Sequence, residues 1–118
     1  MAKIWIEAAL NGPWTRAKQP GIPVAVEDIV ADGIACAEAG AAIIHAHAYD
    51  VTTGRQKDEW EIYARIIEGI RAKVDVIVYP TIPSPGLGQE QNTNRFGHTL
   101  ELAKRGLIEW AVIDPGSV

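Results

Sequence analysis

The sequence predicts an α/β fold built on a parallel sheet, and three observations predict it. Strand-like apolar segments alternate with segments of helical period in the order βαβαβαβ, so successive strands are joined by helical crossovers and run parallel. The third strand-like segment, residues 75–79, carries the continuous apolar run Val76-Ile77-Val78-Tyr79, the pattern of a strand covered on both faces. The connections that follow the strands are long and rich in Gly, Pro and polar residues, whereas those that precede them, Gly40-Ala41 and Val74-Asp75, are short.

Each element has its own signal. Residues 3–10 are apolar and β-compatible until Asn11-Gly12-Pro13 breaks them into a loop running through Thr15, Arg16, Pro20 and Pro23. Residues 26–39 place Val26, Ile29, Val30, Gly33, Cys36 and Ala37 at helical spacing, with Glu27 and Asp28 suiting a helix start and Gly40 a helix stop. Residues 41–48 form the second strand, and residues 49–58 a polar loop. Residues 59–73 are helical again, and the stripe Trp60, Tyr63, Ile66, Ile67 and Ile70 is expected to be core. After the third strand comes the Pro- and Gly-dense stretch 80–88, then a helix from about residue 94 to 104 closing at Gly106. A fourth strand is expected over residues 110–113, with a loop beginning at Asp114-Pro115-Gly116-Ser117.

Two architectures satisfy this order. A flavodoxin-like layered sheet is nearly complete at 118 residues, whereas a (β/α)₈ TIM barrel needs about 250 and would have here only its first half. Both put function in the loops after the strand C-termini. A formal net charge of −4 with scattered basic residues argues against nucleic acid or an anionic membrane as partner. No apolar run approaches the roughly 20 residues of a membrane span, and no N-terminal secretory pattern is present, so a cytoplasmic protein is expected. The single cysteine, Cys36, is expected to be a small buried hydrophobe.

The most informative motif is Ile43-Ile44-His45-Ala46-His47-Ala48. Side chains alternate across a strand, so His45 and His47 share one face about 7 Å apart and can chelate one divalent metal; core histidines hydrogen-bonded to backbone or carboxylate are the competing reading. A catalytic zinc takes three protein ligands, and the candidates for the third are Glu7, Asp50, Asp114 and His98. Glu7 is expected to be a buried, paired carboxylate, Asp50 is equally suited to a loop hydrogen bond, and His98 to an ordinary helix surface. Arg16 is the candidate for gripping an anionic substrate group, with a loop-anchoring salt bridge as the alternative. Gly86-Leu87-Gly88 lacks the strand-to-helix context of a dinucleotide loop and reads as a flexible loop.

Several motifs taken together carry a resemblance: Ala9-Leu10-Asn11-Gly12, Thr15-Arg16-Ala17-Lys18-Gln19-Pro20, Glu38-Ala39-Gly40-Ala41, Ile44-His45-Ala46-His47, Thr53-Gly54-Arg55, and the ending Trp110-Ala111-Val112-Ile113-Asp114-Pro115-Gly116-Ser117. In this order and spacing the chain resembles the β-keto acid cleavage enzymes. The resemblance implies the TIM-barrel alternative, with residues 1–118 as the N-terminal part of one barrel domain and with a longer chain expected. It implies a catalytic zinc held by His45 and His47, a third ligand and the general base from later strands, Thr81 and Ser117 as hydrogen-bond donors to substrate, and Asn11 on the site floor.

The implied reaction is an exchange in which a β-keto acid and acetyl-CoA give acetoacetate and a new acyl-CoA. Zinc suits it as a Lewis acid at the keto oxygen, although cobalt, manganese or nickel also fit a mixed His/carboxylate site. The expected partners are these small molecules and further copies of the chain in a homo-oligomer. One departure is Pro80-Thr81-Ile82-Pro83, where many relatives have a Ser/Thr-Thr-Gly-Gly turn. Another is Pro13-Trp14 in place of an acidic residue suited to an amino-bearing substrate, so a non-cationic or bulkier β-keto acid is expected. The competing classes are an amidohydrolase-like metal hydrolase and a non-catalytic half-barrel.

Overall fold

The computed structural model describes residues 2–83 and 95–113. Its strands are β1 (Glu7–Ala9), β2 (Ile43–Ala46) and β3 (Ile77–Pro80); its helices are α1 (Thr15–Lys18), α2 (Val26–Glu38), α3 (Trp60–Arg71) and α4 (Gly97–Lys104). The strands make one parallel three-stranded sheet in the order β1-β2-β3, with Glu7, Ile43 and Ile77 in one register row and Ala9, His45 and Tyr79 in another. A flavodoxin-like sheet would place β1 between β2 and β3, so the central position of β2 overturns that alternative.

Helix ends follow the sequence closely. α2 lacks a side-chain cap but carries Glu27 and Asp28 in its first turn, where they meet the positive end of the helix dipole. It stops at Gly40, whose φ of 118° turns the chain; Gly40 N–H donates to the Ala37 carbonyl and Ala41 N–H to that of Cys36. α4 ends in the same way, with Gly106 N–H on Ala103 and Leu107 N–H on Leu102.

The helices cover one face of the sheet. α2 lies against β2 and α3, and α3 against β3 and α4. Ile44 and Ala46 of β2, Val78 of β3, Ile29 of α2, Leu102 of α4, and Tyr63, Ile66, Ile67 and Ile70 of α3 form one buried cluster, with Ala8, Leu10 and Cys36 packed against it. The predicted stripe of α3 is therefore the centre of the core, each such side chain contributing about 1.5–3 kcal/mol of burial. α2 and α3 approach closely at Gly33 and Gly69, where a Cβ would fall 2.4 Å from Ile70 Cδ1 and 2.8 Å from Val30 Cγ2, respectively. The opposite face carries Glu7, Ala9, Ile43, His45, Ile77 and Tyr79, none of which joins the cluster. No helix among the described residues is long and apolar enough to cross a membrane.

Some expectations need correction. Residues 110–113 are not a strand: no ladder joins them to β3, and Trp110 and Ile113 stay exposed. The segment before them is tied down by Arg71, whose Nη1 donates to the Leu107 carbonyl and pairs with Glu109 at 3.0 Å. The loop after β1 contains the short helix α1, which its proline content concealed. Asp114, Ser117 and Gly86-Leu87-Gly88 lie outside the described residues.

Candidate active site

His47 stands just beyond β2 and is held by its backbone. Asn11, buried after β1, donates through Nδ2 to the His47 carbonyl at 2.8 Å and to the Pro23 carbonyl at 3.1 Å, while its Oδ1 accepts the His47 N–H at 2.9 Å. The amide thus replaces the neighbouring strand that His47 has lost. Its ring is reached from the loop between β2 and α3, which folds back because Asp50 Oδ1 accepts the N–H groups of Thr52 and Thr53 and Gly54 adopts a φ of 68°. Asp50 is therefore a loop former. The returning segment pairs Gln56 with Tyr49 in a single antiparallel bridge and brings Gln56 Oε1 to 3.0 Å from His47 Nδ1. Behind it, Gln56 Nε2 lies 3.1 and 2.8 Å from the two Asp58 oxygens, and the buried Tyr63 hydroxyl is 2.7 Å from Asp58.

His45 sits in the same face of β2, its ring 5.1 Å from that of His47 and 4.6 Å from that of Tyr79. The Tyr79 hydroxyl donates to Glu7 Oε1 at 2.5 Å, reaching diagonally past β2 to the register row two residues away. Glu7 is thus paired, as expected, but exposed rather than buried, because it lies on the helix-free face of an edge strand. Burial, followed by repulsion from His47, pushes the His45 imidazole down to about 4. Burial likewise lowers His47, with Gln56 and Asp58 opposing. Both shifts favour the neutral ring, the state in which imidazole is a metal ligand. The fit to a metal is supported by His45 Nδ1, which is buried without a well-formed hydrogen bond among the described residues. Among the described residues no three His, Cys, Asp or Glu side chains converge, so the two imidazoles stand without a third donor of these types beside them.

The other predicted residues have local duties. Thr81 is buried, and each of its polar atoms has a protein partner: N–H to the Ala46 carbonyl at 3.1 Å, Oγ1 to the Ile82 carbonyl at 3.3 Å, and its carbonyl accepting from His98 Nε2 at 2.6 Å. His98 is not a surface residue: it is 8% exposed and stacked on Tyr63, one helical turn from the core residue Leu102. Arg16 lies on α1 and directs Nε to the Ile22 carbonyl at 3.2 Å, a loop anchor with no salt bridge among the described residues. That loop turns at Gly12 and Thr15, both at positive φ, and is fastened by Tyr49, whose hydroxyl donates to the Gly12 carbonyl at 2.5 Å. Gln56, Asp58 and Tyr79 escaped sequence reasoning, and Tyr63 was read only as core, without the reach of its hydroxyl to Asp58; the spacing of Gln56 and Asp58 on one side of an extended segment was the only hint.

A family model described as beta-keto acid cleavage enzyme matches residues 3–118. The 3-dehydrocarnitine:acetyl-CoA trimethylamine transferase of Rhizobium meliloti is 29% identical over 114 residues, covering 86% of this chain and 38% of that protein. The 3-keto-5-aminohexanoate cleavage enzyme of Fusobacterium nucleatum is 36% identical over 83 residues, 69% of this chain and 30% of that protein. The aligned region is thus well under half the length of either relative. With the model match running through β1, His45, His47 and α4, the chain belongs to the beta-keto acid cleavage enzyme family.

Proposed function

We propose that this chain supplies the zinc-binding wall of an enzyme that converts a β-keto acid and acetyl-CoA into acetoacetate and a new acyl-CoA. The observation that carries the reading is the pair of imidazoles, His45 and His47, side by side on the sheet face that no described helix covers, in a member of this family. Sequential parallel strands with helices on one side are also how the first half of a (β/α)₈ barrel is wound, and this face would be its interior. Third ligand, general base and acyl-group selectivity belong to parts of the barrel other than these strands.

Zinc held by His45 and His47 would supply Lewis acidity to the keto oxygen as the carbon–carbon bond breaks. The bond between the keto carbon and the α-carbon is cleaved, the carboxymethyl unit joins the acetyl group, and the remaining acyl group passes to the CoA sulfur. In this scheme Asn11 and Thr81 act by fixing the wall, since their polar atoms are engaged with it, and Arg16, whose Nε holds the Ile22 carbonyl, would offer its remaining guanidinium N–H groups to an anionic substrate group. Ser117 is retained as a substrate donor. The reading also carries a cytoplasmic homo-oligomer.

The test uses the full chain. About one zinc per subunit and acetoacetate formed from acetyl-CoA and a β-keto acid are expected, with both lost in the double variant His45→Ala, His47→Ala. A metal-free active protein, or a double variant as active as the parent, refutes it.

A further inference from the structure

The geometry points to Gln56 and Asp58 as positioning residues that fix the tautomer of His47, placing its proton on Nδ1 and its lone pair on Nε2. The direction of every hydrogen bond in this chain of groups is forced from its far end. Asp58 offers only acceptors as a carboxylate. The Tyr63 oxygen already accepts the Ala48 N–H at 3.0 Å, and its own single proton goes to Asp58 Oδ1 at 2.7 Å. The Gln56 group facing both Asp58 oxygens, at 3.1 and 2.8 Å, must then be the amide nitrogen, because the opposite amide orientation would set oxygen against oxygen twice. The Gln56 oxygen is thereby turned to His47 Nδ1 at 3.0 Å, and an oxygen that only accepts requires a proton on that nitrogen.

This inference deepens the metal reading of His47 and rests on it for its functional meaning. A ligating imidazole whose second nitrogen donates to a fixed acceptor is held in orientation and made a better donor to the metal. The usual partner is a carboxylate or backbone carbonyl; here Asp58 acts one residue removed, through the Gln56 amide. Lys57, between them, points elsewhere and pairs with Asp50 at 4.0 Å and Glu59 at 3.2 Å.

Two measurements on the full chain separate the inference from the reading beneath it. Long-range proton–nitrogen spectra of metal-free protein labelled at histidine report which His47 nitrogen is protonated: Nδ1 is expected in the parent, with mixed tautomers in Gln56→Leu. Competition of zinc against a chromophoric chelator is expected to show affinity lowered about 10–100-fold in Gln56→Leu, lowered less in Asp58→Asn, and unchanged in Lys57→Ala. A parent His47 protonated at Nε2 overturns the inference whatever the zinc result. So does a Gln56→Leu variant that binds zinc as tightly as the parent. A parent with the Nδ1 tautomer and no zinc affinity supports the relay and refutes the metal reading instead.

Discussion

Asn11→Ala is expected to destabilise the protein by about 3 kcal/mol, far more than removing a polar side chain from a loop normally does. The reason is what it leaves behind. Three buried or half-buried backbone groups, the His47 N–H, the His47 carbonyl and the Pro23 carbonyl, lose their partner together. Each unsatisfied group costs roughly 1–3 kcal/mol, and water entering the vacated space recovers part of that. Asn11→Asp separates the contributions, because it keeps the shape and the acceptor for His47 N–H but turns an oxygen toward two carbonyls. Repulsion there favours the protonated carboxyl in the folded state, so its deficit relative to the parent shrinks as pH falls from 7 toward 5. Urea unfolding at the two pH values measures both effects through the midpoint and slope. A loss below about 0.5 kcal/mol for Asn11→Ala, or an Asn11→Asp deficit independent of pH, refutes the clamp.

Two further outcomes follow from the packing and the histidines. With His45 at about 4 folded against 6.5 unfolded, the unfolded state takes up the proton first on acidification; stability of metal-free protein is therefore retained above pH 6.5 and falls by up to about 3 kcal/mol as pH drops toward 4. His45→Leu should flatten that part of the curve in thermal melts across this range, and an unchanged slope counts against the burial of a neutral ring. Gly69→Ala should lower stability by about 1 kcal/mol, since the new methyl meets the stiff Val30 side chain at 2.8 and 3.1 Å and the cost of overpacking exceeds the gain in helix propensity. A variant more stable than the parent would show that α2 and α3 separate freely.

Periodicity made the helices legible because α2 and α3 each bury one face, so Ile29, Tyr63, Ile66 and Ile70 carry the pattern in their spacing. Strands were legible as apolar runs but not in extent. Residues 3–6 and 110–113 are as apolar as β2, yet Ile4 and Ile113 are 85% and 82% exposed, because a strand is defined by its neighbours and no pattern within the run records them. At the site, alternation was enough to put His45 and His47 on one face. It said nothing of Gln56, which reaches His47 only because Asp50 folds the intervening loop, nor of Tyr79, which meets His45 through sheet register. His98 was misjudged because its contacts, Tyr63 and the Thr81 carbonyl, come from other elements.

The two histidines are not held alike, and the difference bears on how a metal would be taken up. His47 is fixed at backbone and ring, by Asn11 and by Gln56, so little freedom remains to be lost on coordination. His45 rests against Tyr79, whose backbone also acts on the ring, and its buried Nδ1 has no well-formed hydrogen bond among the described residues. A ligand at that nitrogen would supply the partner it lacks. For a metal, the wall would thus join one preorganised donor to one that gains on binding, and Glu7, which accepts the Tyr79 hydroxyl proton, acts on His45 with its negative charge. Because Glu7 raises the proton affinity of His45 while burial lowers it, a cation at this face would gain from both: it meets a carboxylate nearby and imidazoles that do not first have to shed a proton at neutral pH.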